Sequence, residues 1–379
     1  MKKRVLFLSI LLCVFYSIGQ NNKQKIEVQL SSRVDMASKE VNEIVVLYEN
    51  YLNSNPHIIS DNPFWNRKEK ELYKDFDFSR ASMFQSGMTT EQLCNIFSPF
   101  VMSVEPYGKK YQIRILFSMP TNNPEYLRSK VWCIQKLNAI KEGQKWVLEN
   151  LIVELTKEWK SNTIGTIEYV YPNSHVFNRD EAKLSEVFCE DIISRFNPNY
   201  NTTFKFYLTN NIDDMGLLEN FDYYYVGITK GKARENMILT ARGNEYFPHE
   251  LVHKLLPENK KRGHIIEEGL AVFLGTKVNF LEYEKMRLEL ANDLINNRTK
   301  INFKSVVSQE VSFNGYQTAY PAGGAICELV YNKAGDKGLL QLMIANTESY
   351  GAIILELTKI TNLKLEEIIK EWNKLILKN

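Results

Sequence analysis

Residues 249–253 read His-Glu-Leu-Val-His, a spacing that places two imidazoles on the same face of a helix, one turn apart. Two imidazoles so placed suit a single tetrahedral zinc ion, and a Glu beside them can act on a water molecule rather than on the metal. The chain has only five His residues, and two of them fall here. We therefore predict that His249 and His253 bind zinc and that Glu250 is a general base. The structural alternative is an ordinary amphipathic helix that carries two His residues.

A third zinc ligand is predicted within residues 267–271, which read Glu-Glu-Gly-Leu-Ala. A second helix beginning near Ile265 would bring Glu268 to the two imidazoles as the third protein ligand. The fourth position would then stay open for water, and that opening distinguishes a catalytic zinc site from a structural one.

The helix that must position the two imidazoles has clear limits in the sequence. Residues 246–256 have no interior Gly. Pro248 is tolerated in the first turn, where backbone N–H groups have no partner within the helix. Pro257 is predicted to end the helix, because proline cannot continue it.

These residues resemble the gluzincin metallopeptidases, in which a Glu downstream of His-Glu-x-x-His is the third zinc ligand. The Glu-Gly-Leu-Ala stretch is similar to the Asn-Glu-Gly-Phe-Ala element of aminopeptidase-N-type enzymes, where the Glu directly before Gly binds zinc. The resemblance therefore implies Glu268 rather than Glu267 as the ligand. It covers residues 164–379 and looks most like the peptidase-MA-like domain of secreted bacterial proteins.

A further similarity lies at residues 319–323, Ala-Tyr-Pro-Ala-Gly, which lead into a predicted helix. The stretch looks like the Tyr-Glu-Lys-Gly element of the same enzymes, whose Tyr stabilises the oxyanion. The resemblance implies that role for Tyr320, with Tyr316 as the alternative.

The chain also departs from the patterns of these enzymes. Residues 234–241 do not match the Gly-x-Met-Glu-Asn element with which aminopeptidases hold a free amino group, so an endopeptidase is favoured over an aminopeptidase. Thermolysin-type enzymes place an Asp four residues after the ligand Glu to orient a ligand His. Val272 stands there in this chain, so a different residue must orient the imidazole.

Two neighbouring residues carry weaker expectations. Gly269 has no side chain, and we expect it to let the second helix approach the His-Glu-x-x-His helix closely. His264 follows the basic stretch 260–262, and we expect it to lie in a solvated loop rather than in the cleft.

The N-terminal residues predict a secretory signal peptide over residues 1–19. Lys2, Lys3 and Arg4 precede an apolar run over 5–18, and small residues stand at the positions required for a cut before Gln20. The alternative is an uncleaved anchor helix, for which the run is short. No membrane span is predicted after the signal, so the mature protein is expected to be secreted or periplasmic.

Composition predicts a folded protein without nucleic-acid partners. Hydrophobic residues make up 44% of the chain and aromatic residues 12%. Without the three basic residues of the signal, 44 basic residues balance 45 acidic ones, so no basic surface for nucleic acid is indicated. The cysteines of the mature chain lie too far apart for a metal motif and predict either disulfide pairs or free buried thiols. They are Cys94, Cys133, Cys189 and Cys327.

The order of elements predicts an α+β protein of two domains. Residues 25–155 are predicted to pack one helix on an antiparallel sheet, an arrangement that resembles nuclear-transport-factor-2-like or cystatin-like domains. Residues 156–163 are predicted to be a linker. Residues 164–379 are predicted to form the gluzincin-like domain, with a small mixed sheet followed by a mostly helical half. The strands predicted for this sheet cover 164–171, 203–208, 223–228 and 236–240.

The function that follows is hydrolysis of a peptide or protein substrate by a zinc-dependent peptidase. The alternative is a non-catalytic module that uses the same zinc cleft to bind a peptide or a glycan. The presence of Glu250 favours catalysis, because a binding module has no need of a general base. In a third possibility the N-terminal domain provides the recognition and the second domain cleaves what it holds.

Overall fold

A computed structural model of the chain describes residues 25–59, 61–73, 76–84, 88–119, 131–224, 230–234, 236–296, 301–309 and 319–378. The predicted signal peptide over 1–19 and Tyr316 lie outside the described residues. Among the described helices, none combines the length and hydropathy needed to cross a bilayer.

The described helices are α1 (Lys39–Asn53), α2 (Arg67–Leu72), α3 (Phe78–Met83), α4 (Thr90–Ile96), α5 (Ile152–Thr156), α6 (Arg179–Phe196), α7 (Ile212–Leu218), α8 (Pro248–Leu255), α9 (His264–Asn296), α10 (Phe303–Val307), α11 (Ala319–Ile344), α12 (Tyr350–Thr361) and α13 (Leu365–Ile376). The described strands are β1 (Gln29–Leu30), β2 (Ser98–Tyr107), β3 (Lys110–Ser118), β4 (Val131–Glu142), β5 (Lys145–Glu149), β6 (Lys160–Ile164), β7 (Ile167–Tyr171), β8 (Phe204–Leu208), β9 (Phe221–Tyr224), β10 (Gly231–Arg234) and β11 (Met237–Thr240).

The predicted α+β class is confirmed, because the chain contains two small mixed sheets and a C-terminal half made of helices. The chain forms two compact units. The first unit comprises residues 1–153 and 216–227, and the second comprises 154–215 and 228–379.

In the first unit, a helix packs on a curved sheet. The strand order is β1-β2-β3-β4-β5, with β9 also paired to β4, and every pair is antiparallel except β1 with β2. Helix α1 buries its apolar face, including Ile44 and Leu52, as its three-and-four spacing predicts. On that face the Tyr48 hydroxyl donates a hydrogen bond of 2.5 Å to Gln135 Oε1 of β4.

The second unit begins with a five-stranded sheet of order β10-β11-β8-β7-β6. Its central pairs, β11 with β8 and β8 with β7, are parallel, and its outer pairs are antiparallel. The inner strands are rich in aromatic and branched residues such as Phe206 and Ile238, which are fully buried. This sheet supports the helix that carries His249 and His253, because α8 packs against β10 and β11.

The helices of the second unit pack around α9 and α11. Helix α9 is a single run of 33 residues, and α11 is interrupted at Gly335, where φ is +61°. The last helix, α13, buries Ile368, Trp372 and Ile376 at core spacing. The Trp372 indole donates a hydrogen bond of 3.0 Å to the carbonyl of Ala322, which fixes α13 against the start of α11.

Two segments differ from the sequence expectation. Strand β6 occupies the second half of the stretch predicted as a linker, because residues 160–164 pair antiparallel with β7. Strand β9 falls within the predicted strand 223–228 only in part, and it joins the sheet of the first unit through β4. Both differences come from pairing between strands, and the polar character of a segment does not reveal that pairing.

Candidate metal centre

Helix α8 presents its two imidazoles as the sequence predicts. Pro248 is its first residue, and Leu251, Val252 and Leu255 are buried in the core of the second unit. The helix ends before Pro257, since Leu256 is already extended with φ −63° and ψ 152°. Burial of the apolar face therefore leaves the other side of α8 for His249 and His253.

Helix α9 brings Glu268 to the two imidazoles. The Nε2 atoms of His249 and His253 lie 3.2 Å apart. Glu268 Oε2 lies 3.2 Å from His249 Nε2 and 3.5 Å from His253 Nε2. Among the described residues these three form the group whose side chains can share one metal ion.

The triangle of donor atoms has the size that a tetrahedral zinc ion requires. Ligand atoms at 2.0–2.1 Å from such an ion lie about 3.3 Å from one another. Glu268 Oε2 is also buried without a hydrogen bond of normal geometry, although both imidazoles are close. A buried oxygen without a hydrogen bond is costly unless a cation or another partner compensates it. The donor set therefore fits a zinc ion held by two imidazoles and one carboxylate.

The charge around these atoms also favours a cation. Burial by itself raises the pKa of Glu268, but the two adjacent imidazoles outweigh it and lower that pKa well below its usual range. Burial likewise lowers the pKa of His253, but Glu267 and Glu268 raise it well above its ordinary value. The carboxylate is thus ionised, and positive charge at this point is stabilised.

Glu250 follows His249 on α8, and its charge contributes to the raised pKa of His253, but it is not one of the three donors. Its side chain is buried on α8, with strand β10 close against it. A Cβ atom at Gly231 of β10 would lie 2.9 Å from Glu250 Oε1 and 2.0 Å from the Phe247 ring. Only glycine fits there, so Gly231 is a site residue that the sequence reasoning missed. The signal available was an isolated glycine at the start of a strand, which can mark a close backbone approach.

Tyr320 lies next to one of the candidate metal ligands, at the beginning of α11. The centroid of its ring is 5.5 Å from that of His249. The position follows from the crossing of α9 and α11, where a Cβ atom at Gly323 would meet the carbonyl oxygen of Ile265 at 2.0 Å. Direct contact between the backbones of α9 and α11 thus places the start of α11, which carries Tyr320, beside the imidazoles.

The prediction that Gly269 lets α9 approach α8 closely was wrong. A Cβ atom at Gly269 would meet backbone atoms of Gly323 at 2.4–2.6 Å, so this glycine permits the approach of α11 rather than of α8. The approach of α8 occurs one and a half turns later, at Gly275, where a Cβ atom would lie 3.1 Å from the backbone nitrogen of His249. The sequence places Gly269 beside Glu268 but does not show which helix crosses there.

His264 and Glu267 lie closer to the centre than the sequence indicated. His264 is the first residue of α9 rather than part of a loop, and its Nδ1 is 3.7 Å from Glu268 Oε1 while its side chain stays 55% exposed. Glu267 Oε1 lies 2.8 Å from His253 Nδ1. Glu267 therefore takes the orienting position that Val272 cannot fill.

The cysteines take no part in this centre. Cys94, Cys133, Cys189 and Cys327 are all free and buried, which agrees with the expectation of buried thiols rather than that of disulfides. Burial raises the pKa of the Cys94 and Cys189 thiols to about 12, so neither is a thiolate at neutral pH.

Comparison with protein-family models finds no match to this chain, and a search of curated proteins finds no similar sequence. The support for a metal centre is therefore the close approach of the side chains of His249, His253 and Glu268. Each of the three residues is partly buried, whereas the acidic groups that commonly lack an ion are exposed.

Proposed function

We propose that this chain is a zinc-dependent metallopeptidase of the gluzincin type, acting on peptide or protein substrates. The observation that carries the proposal is the 3.2–3.5 Å triangle of His249 Nε2, His253 Nε2 and Glu268 Oε2, with Glu250 and Tyr320 beside it. In that arrangement His249, His253 and Glu268 hold the ion.

The ion supplies one kind of chemistry when bound: it polarises a carbonyl group and makes water more acidic. Glu250 is placed to take a proton from the attacking water and to pass it to the departing amine nitrogen. Its confinement between α8 and Gly231 keeps the carboxylate in one position. A carboxylate that is already in position needs little reorganisation during the reaction, and this lowers the activation barrier.

Tyr320 has the second role in this proposal. Its phenol donates a hydrogen bond to the carbonyl oxygen of the scissile bond as that oxygen gains negative charge. Such a donor acts on the transition state more than on the bound substrate, so it contributes to kcat. The crossing at Gly269 and Gly323 brings the start of α11, which carries Tyr320, close to α9.

The proposed place of action is outside the cytoplasm, after removal of residues 1–19. A signal peptide of the predicted kind directs the chain to the periplasm or the medium. A zinc site of imidazoles and a carboxylate, without thiolate ligands, is suited to an oxidising compartment.

The test is cleavage of a peptide library by the purified mature protein and by its Glu250→Gln variant, with zinc content measured in both. We expect about one zinc per chain in each protein and cleavage by the wild type alone. Glu366→Gln, at an exposed position on α13, is the matched control and should cleave like the wild type.

Three results would contradict the proposal. Full activity of Glu250→Gln would show that Glu250 is not the general base. Zinc without cleavage in the wild type would favour the peptide- or glycan-binding module. A wild-type protein that takes up no zinc after reconstitution would remove the metal centre itself.

A further inference from the structure

An ion pair between Arg262 and Glu267 lies directly behind one of the proposed metal ligands. Glu267 Oε1 is 2.8 Å from His253 Nδ1, and Arg262 Nη1 donates a hydrogen bond of 2.7 Å to Glu267 Oε2. The side chain of Arg262 is only 4% exposed. Three side chains thus form a continuous line from the loop before α9 to the imidazole.

The other end of this line is fixed to backbone. Arg262 Nε donates a 2.9 Å hydrogen bond to the carbonyl of Met343, at the end of α11, and its Nη2 donates to the carbonyl of Pro257. Asn259 Nδ2 donates to the Met343 carbonyl as well, at 3.0 Å. All the nitrogen atoms of this buried guanidinium are therefore engaged, and its orientation has no freedom to change.

The loop that carries Arg262 is held on both sides. The backbone nitrogen of Gly263 donates a 2.9 Å hydrogen bond to Thr347 Oγ1, and that of Thr347 donates to the carbonyl of Lys261 at 2.8 Å. A Cβ atom at Gly263 would lie 2.1 Å from the carbonyl oxygen of Thr347, so the two backbones touch. The loop and the segment after α11 are one packed structure.

We propose that Arg262 is a positioning residue of the metal centre, which acts through Glu267 to fix the orientation and tautomer of His253. The inference rests on the proposed zinc site. A carboxylate held by a guanidinium can only accept, so His253 Nδ1 donates its proton to Glu267. In the neutral imidazole that a metal ligand must be, the lone pair then belongs to Nε2, which lies 3.2 Å from His249 Nε2 and 3.5 Å from Glu268 Oε2.

Arg262 has a second consequence for the same site. Glu267 is adjacent to Glu268 on α9, and without Arg262 its partly exposed carboxylate would keep only His253 as a partner beside the proposed metal position. The planar guanidinium can contact Glu267 and two carbonyl groups at once, which a lysine ammonium on a flexible chain cannot reproduce. Arg262→Lys should therefore keep the positive charge next to Glu267 but lose the fixed orientation of the Glu267 carboxylate.

The test measures zinc affinity by competition with a chromogenic chelator, using full-length mature protein. We expect Arg262→Ala and Glu267→Ala each to weaken zinc binding by about 10- to 100-fold. Arg262→Lys should fall between Arg262→Ala and the wild type. The double variant should lose no more than either single variant, because both act through His253.

The chain offers a matched control for a buried arginine. Arg287 is 3% exposed, donates to the carbonyl groups of Ile376 and Lys378, and pairs with Glu284. Arg287→Ala should lower thermal stability while leaving zinc affinity unchanged. Equal losses of affinity in Arg287→Ala and Arg262→Ala would show a general effect of destabilisation and would overturn the inference.

A second measurement covers the case in which Arg262→Ala does not fold. Glu267→Gln keeps an oxygen acceptor for His253, so the fold should survive while the charge is lost. In the zinc-loaded protein, the His253 Nδ1 proton should resonate far downfield and move upfield in Glu267→Gln. An unchanged resonance would overturn the inference.

The outcomes separate this inference from the proposed function. Wild-type protein that binds zinc, with Arg262 variants that bind it equally well, would overturn the role of Arg262 and leave the zinc site intact. Wild-type protein that binds no zinc would overturn both. Weakened binding in the Arg262 and Glu267 variants, with Arg287→Ala unaffected, would support both.

Discussion

Each unit of the protein buries a carboxylate, and the two carboxylates have opposite surroundings. In the first unit, Glu69 accepts hydrogen bonds from the Trp65 indole at 2.8 Å and from the backbone and side-chain nitrogens of Asn150 at 3.0 Å. In the second unit, Glu268 Oε2 accepts none of normal geometry and faces two imidazole nitrogens.

The difference teaches how a structural polar group is distinguished from a binding group. Glu69 has its hydrogen bonds provided within the fold, so nothing further is required to hold it there. Glu268 Oε2 has no such hydrogen bonds, and its charge is balanced instead by two imidazoles, whose nitrogen atoms could share a cation with it. A buried acid alone therefore does not indicate a site, whereas an acid whose oxygen lies close to other potential ligands is a candidate for one.

The largest expected effect is on zinc affinity when Glu268 is replaced. Glu268→Gln keeps the size of the side chain but removes its charge, and we expect zinc binding to weaken by about 1000-fold, or about 4 kcal/mol. Competition with a chelator measures this directly. Glu69→Gln is the matched replacement in the other unit, and an equal loss in that variant would remove the distinction between the two acids.

The next effect concerns the helix crossing that holds Tyr320. Gly323→Ala would place a methyl group 2.0 Å from the carbonyl oxygen of Ile265, and we expect a loss of about 3 kcal/mol in the free energy of unfolding. Gly351→Ala is the control, since a Cβ atom there meets nothing within 4 Å. That variant should be neutral or slightly stabilised in urea unfolding. Similar curves for both variants would contradict the close contact of α9 and α11.

A smaller effect is expected at the phenol of Tyr320. Tyr320→Phe should reduce kcat by about 100-fold, or about 2.7 kcal/mol, with KM and zinc content unchanged. Tyr331→Phe on the same helix is the control, because that ring is 42% exposed and packs on Phe273. If the loss appeared in KM instead, Tyr320 would bind substrate rather than stabilise the transition state.

The smallest expected effect is a change of protein stability with pH, which is caused by Glu69 in the first unit. Burial raises the pKa of Glu69 to about 7, against the opposing hydrogen bonds of Asn150 and Trp65. The folded state then binds more protons than the unfolded chain between pH 4.5 and 7, so stability falls as the pH rises through that range. We expect a loss of about 2 kcal/mol between pH 5 and pH 7. Glu69→Gln should flatten this dependence in urea unfolding, and an unchanged slope would assign it to other groups.

The parts of the fold that the sequence predicts are those with local signals. The limits of α8 follow from Pro248 and Pro257, and the pairing of His249 with His253 follows from helical spacing. The amphipathic pattern of α1 and α13 likewise identifies their buried faces. Glu268 was expected as the third member of the group on a second helix, the resemblance favoured it over Glu267, and the structure places its carboxylate beside both imidazoles.

The parts that the sequence did not predict depend on contacts between distant residues. Strand β9 pairs with β4 across some ninety positions of sequence, and nothing in Phe221–Tyr224 indicates which sheet it joins. The partner of Gly269 depends on where α11 crosses α9. The bond of Glu267 to His253 depends on side-chain direction, which composition and spacing leave open.

The most direct test of the central claim is zinc X-ray absorption on the metal-loaded wild-type protein. The arrangement of His249, His253 and Glu268 predicts nitrogen and oxygen ligands at about 2.0–2.1 Å, with the outer scattering of two imidazoles. His249→Ala should lose that pattern. Sulfur at about 2.3 Å would point to the cysteines instead, and a spectrum without imidazole, or one unchanged in His249→Ala, would contradict the proposed centre.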